Sequence, residues 1–184
     1  MTIYFTADNH FFHAKAIVYG KRPYADLDEM HAALIENWNS RVTQDDTVYV
    51  LGDFAFKNKQ DQIQPIFAQL NGKKHLIIGN HDNAKVLALP WSSPPSIYQE
   101  IKVDNNDVTT RVIMMHYPIR SWNGMYHGSV HLYGHEHGNL PDFHNCCDVG
   151  VDSWNWHPVT LPEVIARMAN ATINPVIIQN DATV

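Results

Sequence analysis

Apolar residues recur along this chain in short runs that stop abruptly at a glycine or an acid. Residues 2–7 are β-prone up to Asp8, residues 47–51 end at Gly52-Asp53, residues 74–78 end at Gly79, and residues 130–133 end at Gly134. Apolar runs of this length read as buried strands. Residues 97–103 and 108–115 flank Asp104-Asn105-Asn106-Asp107, a turn signal that predicts a hairpin. A short strand is expected over 148–151 and an edge strand over 176–178.

Between these runs the period changes. Residues 26–41 carry Leu27, Met30, Leu34, Ile35 and Trp38 at helical spacing behind Asp26, an N-cap with Glu29 three residues on. Residues 60–70 place Ile63, Ile66, Phe67 and Leu70 on one face, and Pro65 is expected to limit that helix to its second half. A short helix is expected within 80–89. Another is expected over 161–168, with Pro162 in the first turn, where proline is tolerated. Strand and helix alternate in the first half, which predicts parallel pairing. The second half is strand-rich, which predicts an antiparallel portion. With 184 residues and no repeat or linker, residues 1–184 are expected to form one α/β domain.

Composition narrows the picture. Hydrophobic residues are 45% and charged residues 17%, enough to bury a core and too apolar for disorder. The formal charge of −6 argues against non-specific nucleic-acid binding as the main task. A phosphorylated substrate stays open, because bound cations do not enter that count. The N-terminal residues show no signal-peptide pattern, and no run approaches the length of a membrane span. Cys146 and Cys147 are the only cysteines and are adjacent, so there is no disulfide framework. These features predict a cytoplasmic protein without membrane attachment.

Twelve of the residues are histidine, and many sit at strand ends. Asp8-Asn9-His10, Gly52-Asp53, Gly79-Asn80-His81-Asp82, His116-Tyr117-Pro118 and Gly134-His135-Glu136-His137 each follow or end an apolar run. In α/β folds the loops at the carboxyl ends of strands converge on the ligand. Asp8, His10, Asp53, Asn80, His116, His135 and His137 offer carboxylate, amide and imidazole donors and no thiolate. That mixed set suits manganese, iron or zinc, and seven donors are too many for one tetrahedral ion. Two ions sharing a carboxylate fit.

The five strings in this order resemble the motifs D-x-H, G-D, G-N-H-D, H and G-H-x-H of the calcineurin-like metallophosphoesterase superfamily, here in a small form without a capping domain. The resemblance implies a four-layer α/β/β/α sandwich, two mixed sheets face to face with helices outside. It implies one metal held by Asp8, His10 and His137, a second by Asn80, His116 and His135, and Asp53 bridging both. It implies two divalent ions, manganese first, with iron, zinc, nickel or magnesium as alternatives. The reaction implied is hydrolysis of a phosphoric ester by hydroxide formed between the metals, with His81 protonating the leaving group and Asp82 orienting His81. A phosphodiesterase is expected ahead of a phosphomonoesterase or a nuclease. The substrate is then a phosphorylated small molecule or nucleotide, with nucleic acid not favoured. A non-catalytic scaffold is the alternative of another class, and a homodimer is compatible with the sequence.

Other residues carry weaker signals. His13, three past His10, and Arg120, four past His116, are candidates for substrate contact. Lys21, Arg22, Lys57 and Lys59 could form a basic rim. Asp152 could support the site from behind or cap the next turn. His127, His131 and His144 lie near the cysteines at spacings that fit no zinc pattern. His31 and His75 read as structural. Trp91, Trp122, Trp154 and Trp156 fall in loop-like segments and are candidates for exposure to a partner.

Overall fold

The computed structural model describes residues 1–56, 60–105, 108–141 and 145–170. The apolar runs become two four-stranded sheets. The first contains β1 (Ile3–Thr6), β2 (Thr47–Val50), β3 (Lys73–Leu76) and β8 (Val159–Thr160), in the order β3-β2-β1-β8. The second contains β4 (Tyr98–Asn105), β5 (Val108–Met115), β6 (Val130–Tyr133) and β7 (Cys146–Asp148), in the order β4-β5-β6-β7. Both are mixed. β1, β2 and β3 are parallel and β8 antiparallel to β1. β4 and β5 form the expected antiparallel hairpin, but β5, β6 and β7 are parallel.

Alternation along the first-sheet strands builds two cores. Phe5, Tyr49, Leu51 and Ile77 point toward the second sheet, where they meet Val112, Met114, Val130, Leu132 and Cys147. Tyr4, Val48, Val50 and Leu76 point the other way, into helices. Those helices are α2 (Leu27–Asn39), α3 (Gln60–Gln69) and α4 (Ala84–Leu87), which contribute Met30, Leu34, Trp38, Ile63, Phe67 and Val86. Burial on both faces is why these strands read as continuous apolar runs. α5 (Leu161–Ala169) closes the inter-sheet core with Leu161, Val164 and Met168. The outer side of the second sheet is covered by the segment after β5, where Trp122 packs on His131 with ring centroids 5.2 Å apart.

α2 starts as its sequence predicts, with the Asp26 carboxylate accepting the Glu29 N–H at 2.9 Å. α3 does not stop for Pro65, which lies on the exposed side of a helix running unbroken from Gln60 to Gln69. Burying Ile63, Ile66 and Phe67 is worth about 1.5–3 kcal/mol each, and together they outweigh the roughly 3 kcal/mol that an interior proline costs. The strand expected over 148–151 instead ends at Asp148, because its carboxylate accepts the Gly150 N–H at 2.7 Å and turns the chain into a 3₁₀ turn, Val151–Ser153. The sequence pattern did not show α1 (Ala14–Tyr19), whose Val18 and Tyr19 are exposed. The edge strand expected over 176–178 lies outside the described residues.

Candidate metal centre

Both sheets aim strand ends at one place. Asp8, His10, Asp53 and Asn80 follow β1, β2 and β3, while His116, His135 and His137 follow β5 and β6. Five of these seven residues have left-handed backbone: Asp8 (φ 57°), His10 (φ 51°), Asp53 (φ 55°), His135 (φ 73°) and His137 (φ 50°). For a residue with a Cβ that conformation costs about 1–2 kcal/mol. It turns the chain sharply enough for residues two apart, Asp8 with His10 and His135 with His137, to face the same point. Gly52 and Gly79 let the loops touch. A Cβ on Gly52 would meet the His116 imidazole, and one on Gly79 would meet the Asp53 carboxylate.

Asp8, His10 and His137 each present a donor atom within 4.8 Å of the others, and so do Asp8, Asp53 and His116. Asp53 Oδ2 lies 3.6 Å from His10 Nε2 and 3.6 Å from His116 Nε2, between the two sets. Asn80 Oδ1 lies 3.0 Å from His116 Nε2 and 3.0 Å from His135 Nδ1. His116 donates its Nδ1–H to the Leu51 carbonyl at 2.7 Å, and His137 donates its Nδ1–H to Asp152 at 2.7 Å. Each therefore keeps Nε2 as its lone-pair nitrogen. The seven residues proposed from sequence thus come together.

The electrostatics call for a cation. Asp8 is fully buried, and its Oδ1 has no hydrogen-bond partner. Burial first, then the charges of Asp148 and Asp53, push its carboxyl well above the ordinary range. Burial holds His10 and His116 below the usual imidazole value, in the neutral form that ligates. A buried acid with an orphaned oxygen beside neutral imidazoles fits divalent metal and leaves little else to satisfy it.

His81 stands at the edge, its side chain 35% exposed and its Nε2 3.8 Å from Asp53 Oδ2. His13 joins it, stacked on Phe56 at 4.0 Å with its Nδ1 3.2 Å from His10 Nδ1. Burial, then the neighbouring His81, lowers the His13 value. Asp82 has a different duty from the one expected. Its carboxylate accepts the backbone N–H groups of Asp53 (2.9 Å), Phe54 (2.9 Å) and Gly79 (2.8 Å). Those bonds staple two ligand loops together and do not reach the His81 ring. Burial raises its value to about 6.

The residues with weaker signals take varied places. Arg22 is no rim residue: it is buried and bound on all sides. Asp152 supports the site through His137. Arg120 is exposed and makes no hydrogen bond or ion pair to the cluster. His131 is buried against backbone, with its Nε2 accepting the Ile119 N–H at 3.2 Å, so it forms no third metal site. The four tryptophans are turned inward: Trp91, Trp122 and Trp154 donate to backbone carbonyls, and Trp156 packs on Tyr24. Lys57, Lys59 and His144 lie outside the described residues. Two surface depressions, of about 410 and 480 Å³, share no residue with the cluster.

The chain resembles known proteins in sequence and in fold. The family model described as calcineurin-like phosphoesterase matches residues 1–145. The Methanocaldococcus jannaschii protein MJ1445 is 30% identical over 173 residues, covering 89% of each chain. The Gene 66 protein of Mycobacterium phage D29 is 26% identical over 195 residues, 91% of this chain and 96% of its own. In structure, the protein AQ665 of Aquifex aeolicus superposes with a TM-score of 0.66 at 20% identity, over 90% of this chain and 98% of its own.

Proposed function

The chain belongs to the calcineurin-like phosphoesterase family, and on that premise we propose that it hydrolyses phosphodiesters at a dinuclear metal centre. Family and ligand groups alike support metal-dependent phosphoester hydrolysis. The observation that carries the finer reading is Asp53 Oδ2, 3.6 Å from an imidazole of each set. Asp8, His10 and His137 would hold one ion and Asn80, His116 and His135 the other, with Asp53 as the carboxylate both could share. Two divalent ions, manganese first, would supply water activation near neutral pH and stabilise the charge developing on the phosphoryl oxygens.

The chain's own residues do the rest. The Asp53 carboxylate accepts the His81 N–H at 2.9 Å, which fixes the backbone from which that imidazole reaches. Its half-exposed ring holds a proton at Nε2 and delivers it to the leaving oxygen. His13 and Phe56 form a stacked wall beside it and bound the leaving-group side. The preference for a diester follows from charge. Among the described residues no lysine or arginine side chain bonds to a ligand side chain, and a centre without such a fixed cation against its ligands favours the lower charge of a diester. The deciding assay compares bis-p-nitrophenyl phosphate with p-nitrophenyl phosphate on chelator-stripped protein resupplied with Mn²⁺. Faster diester release supports the reading; faster monoester release, or no release with Mn²⁺, Zn²⁺ or Mg²⁺ resupplied in turn, rejects it.

A further inference from the structure

We propose that Arg22 and Asp152 are positioning residues that set the affinity and geometry of the metal position formed by Asp8, His10 and His137; the proposal rests on the dinuclear reading above. The pair is buried, with the Arg22 side chain 0% and the Asp152 side chain 5% exposed, and joins residues 130 apart in sequence. Arg22 Nε and Nη2 donate to the two Asp152 oxygens at 3.0 and 2.9 Å. The same guanidinium donates to the backbone carbonyls of Asp8 (2.7 Å) and Asn9 (3.0 Å). Asp152 Oδ2 accepts the Nδ1–H of His137 at 2.7 Å.

The pair therefore links two ligand-bearing loops. At one end Arg22 fixes the peptide planes between Asp8 and His10, the residues whose left-handed backbone aims both side chains inward. At the other, a carboxylate orients the His137 ring and makes its Nε2 a stronger donor. Arginine suits this task because its rigid fork serves the carboxylate and two carbonyls at once; a lysine ammonium cannot do so at these positions. The surroundings are built to admit the pair. A Cβ on Gly20 would stand 2.9 Å from Asp152 Oδ1, and the Trp156 ring covers Arg22 with its centroid 5.5 Å from Cζ.

The test is Mn²⁺ titration of the chelator-stripped full chain by calorimetry, with unfolding temperatures measured stripped and loaded. The variants are Asp152→Asn, which keeps the shape and removes the charge, and Arg22→Lys, which keeps the charge and removes the fork. The expected result is a loss of about 10–100-fold in affinity for one of two ions. The other ion should bind within about threefold of wild type, and the rise in unfolding temperature on loading should shrink. A merely structural ion pair would lower stripped and loaded temperatures equally and leave both affinities intact, which would overturn the proposal. Should Arg22→Lys not fold, Asp152→Asn decides alone. Wild-type protein that binds no ion would instead overturn the dinuclear reading, and this proposal with it.

Discussion

Asp82 accepts the backbone N–H of Asp53 at 2.9 Å across 29 residues of sequence. The acid of the G-N-H-D string is therefore spent on backbone, where it holds the Asp53 loop in place from behind. Asp82→Ala removes the acceptor of three N–H groups, and each buried donor left unpaired costs about 1–3 kcal/mol. We expect a loss of several kcal/mol in urea unfolding together with weaker metal retention. If Asp82→Ala kept its stability and lost only turnover, a direct role in orienting His81 would return.

On the proposed reading His81 serves the leaving oxygen, so the effect of its removal should depend on the ester. His81→Ala is expected to keep fold and metal content. It should lose about 10²–10⁴ in kcat on an alkyl-leaving diester and far less on a p-nitrophenyl leaving group, which needs no proton. Equal losses on both substrates would assign His81 to binding.

Gly79 is required by contact alone. Gly79→Ala drives a methyl into the Asp53 carboxylate and backbone nitrogen. Overpacking of this kind costs about 1–3 kcal/mol. The displaced carboxylate should also lower metal content measured by atomic emission after dialysis. Unchanged metal at unchanged stability would show that the loops have room to move.

Asp53 itself should be the most sensitive ligand. Asp53→Asn removes the charge shared by both sets and is expected to reduce bound metal below one ion per chain, with activity lost. Two ions per chain in the variant would mean that Asp53 does not bridge.

His131 gives the fold an acid limit separate from the metal site. Burial lowers its value from 6.5 to about 4. In the unfolded chain it binds a proton below about pH 6.5, and in the folded chain only near pH 4. Its contribution is therefore fully present above pH 6.5 and is lost as pH falls toward 4, a span worth about 3 kcal/mol. His131→Gln should flatten stability over that window when urea unfolding of metal-stripped protein is followed from pH 7 to pH 4. An unaltered slope would place the acid sensitivity elsewhere.

Much of the candidate site could be read from sequence because its donor residues follow apolar strands directly. The strand run announces the element, and the next polar residue is where the element delivers its side chain. Asp8, Asp53, Asn80, His116 and His135 obey that rule, and His10 and His137 come two residues further on. Arg22 does not: it sits in a turn after α1, its carboxylate partner comes 130 residues later, and no local pattern separates it from a surface arginine. The Asp82 staple was hidden for a similar reason, since three backbone donors leave no mark in side-chain types. Pro65 misled in the opposite direction, because propensity is local and the packing of Ile63 and Phe67 is not. β8 is only two residues long and became legible only once paired with Tyr4 and Phe5.

The candidate ligands are divided between the two sheets, which on the proposed reading would set when in the life of the chain metal can be captured. A growing polypeptide that has built only its first sheet strands carries Asp8, His10, Asp53 and Asn80, the donors of two half-sites. His116 adds one more, and neither set is complete until His135 and His137 have emerged and the second sheet has docked. Loading would then report completed assembly, and a truncated or undocked chain would leave the ribosome inert instead of half-armed against phosphate esters.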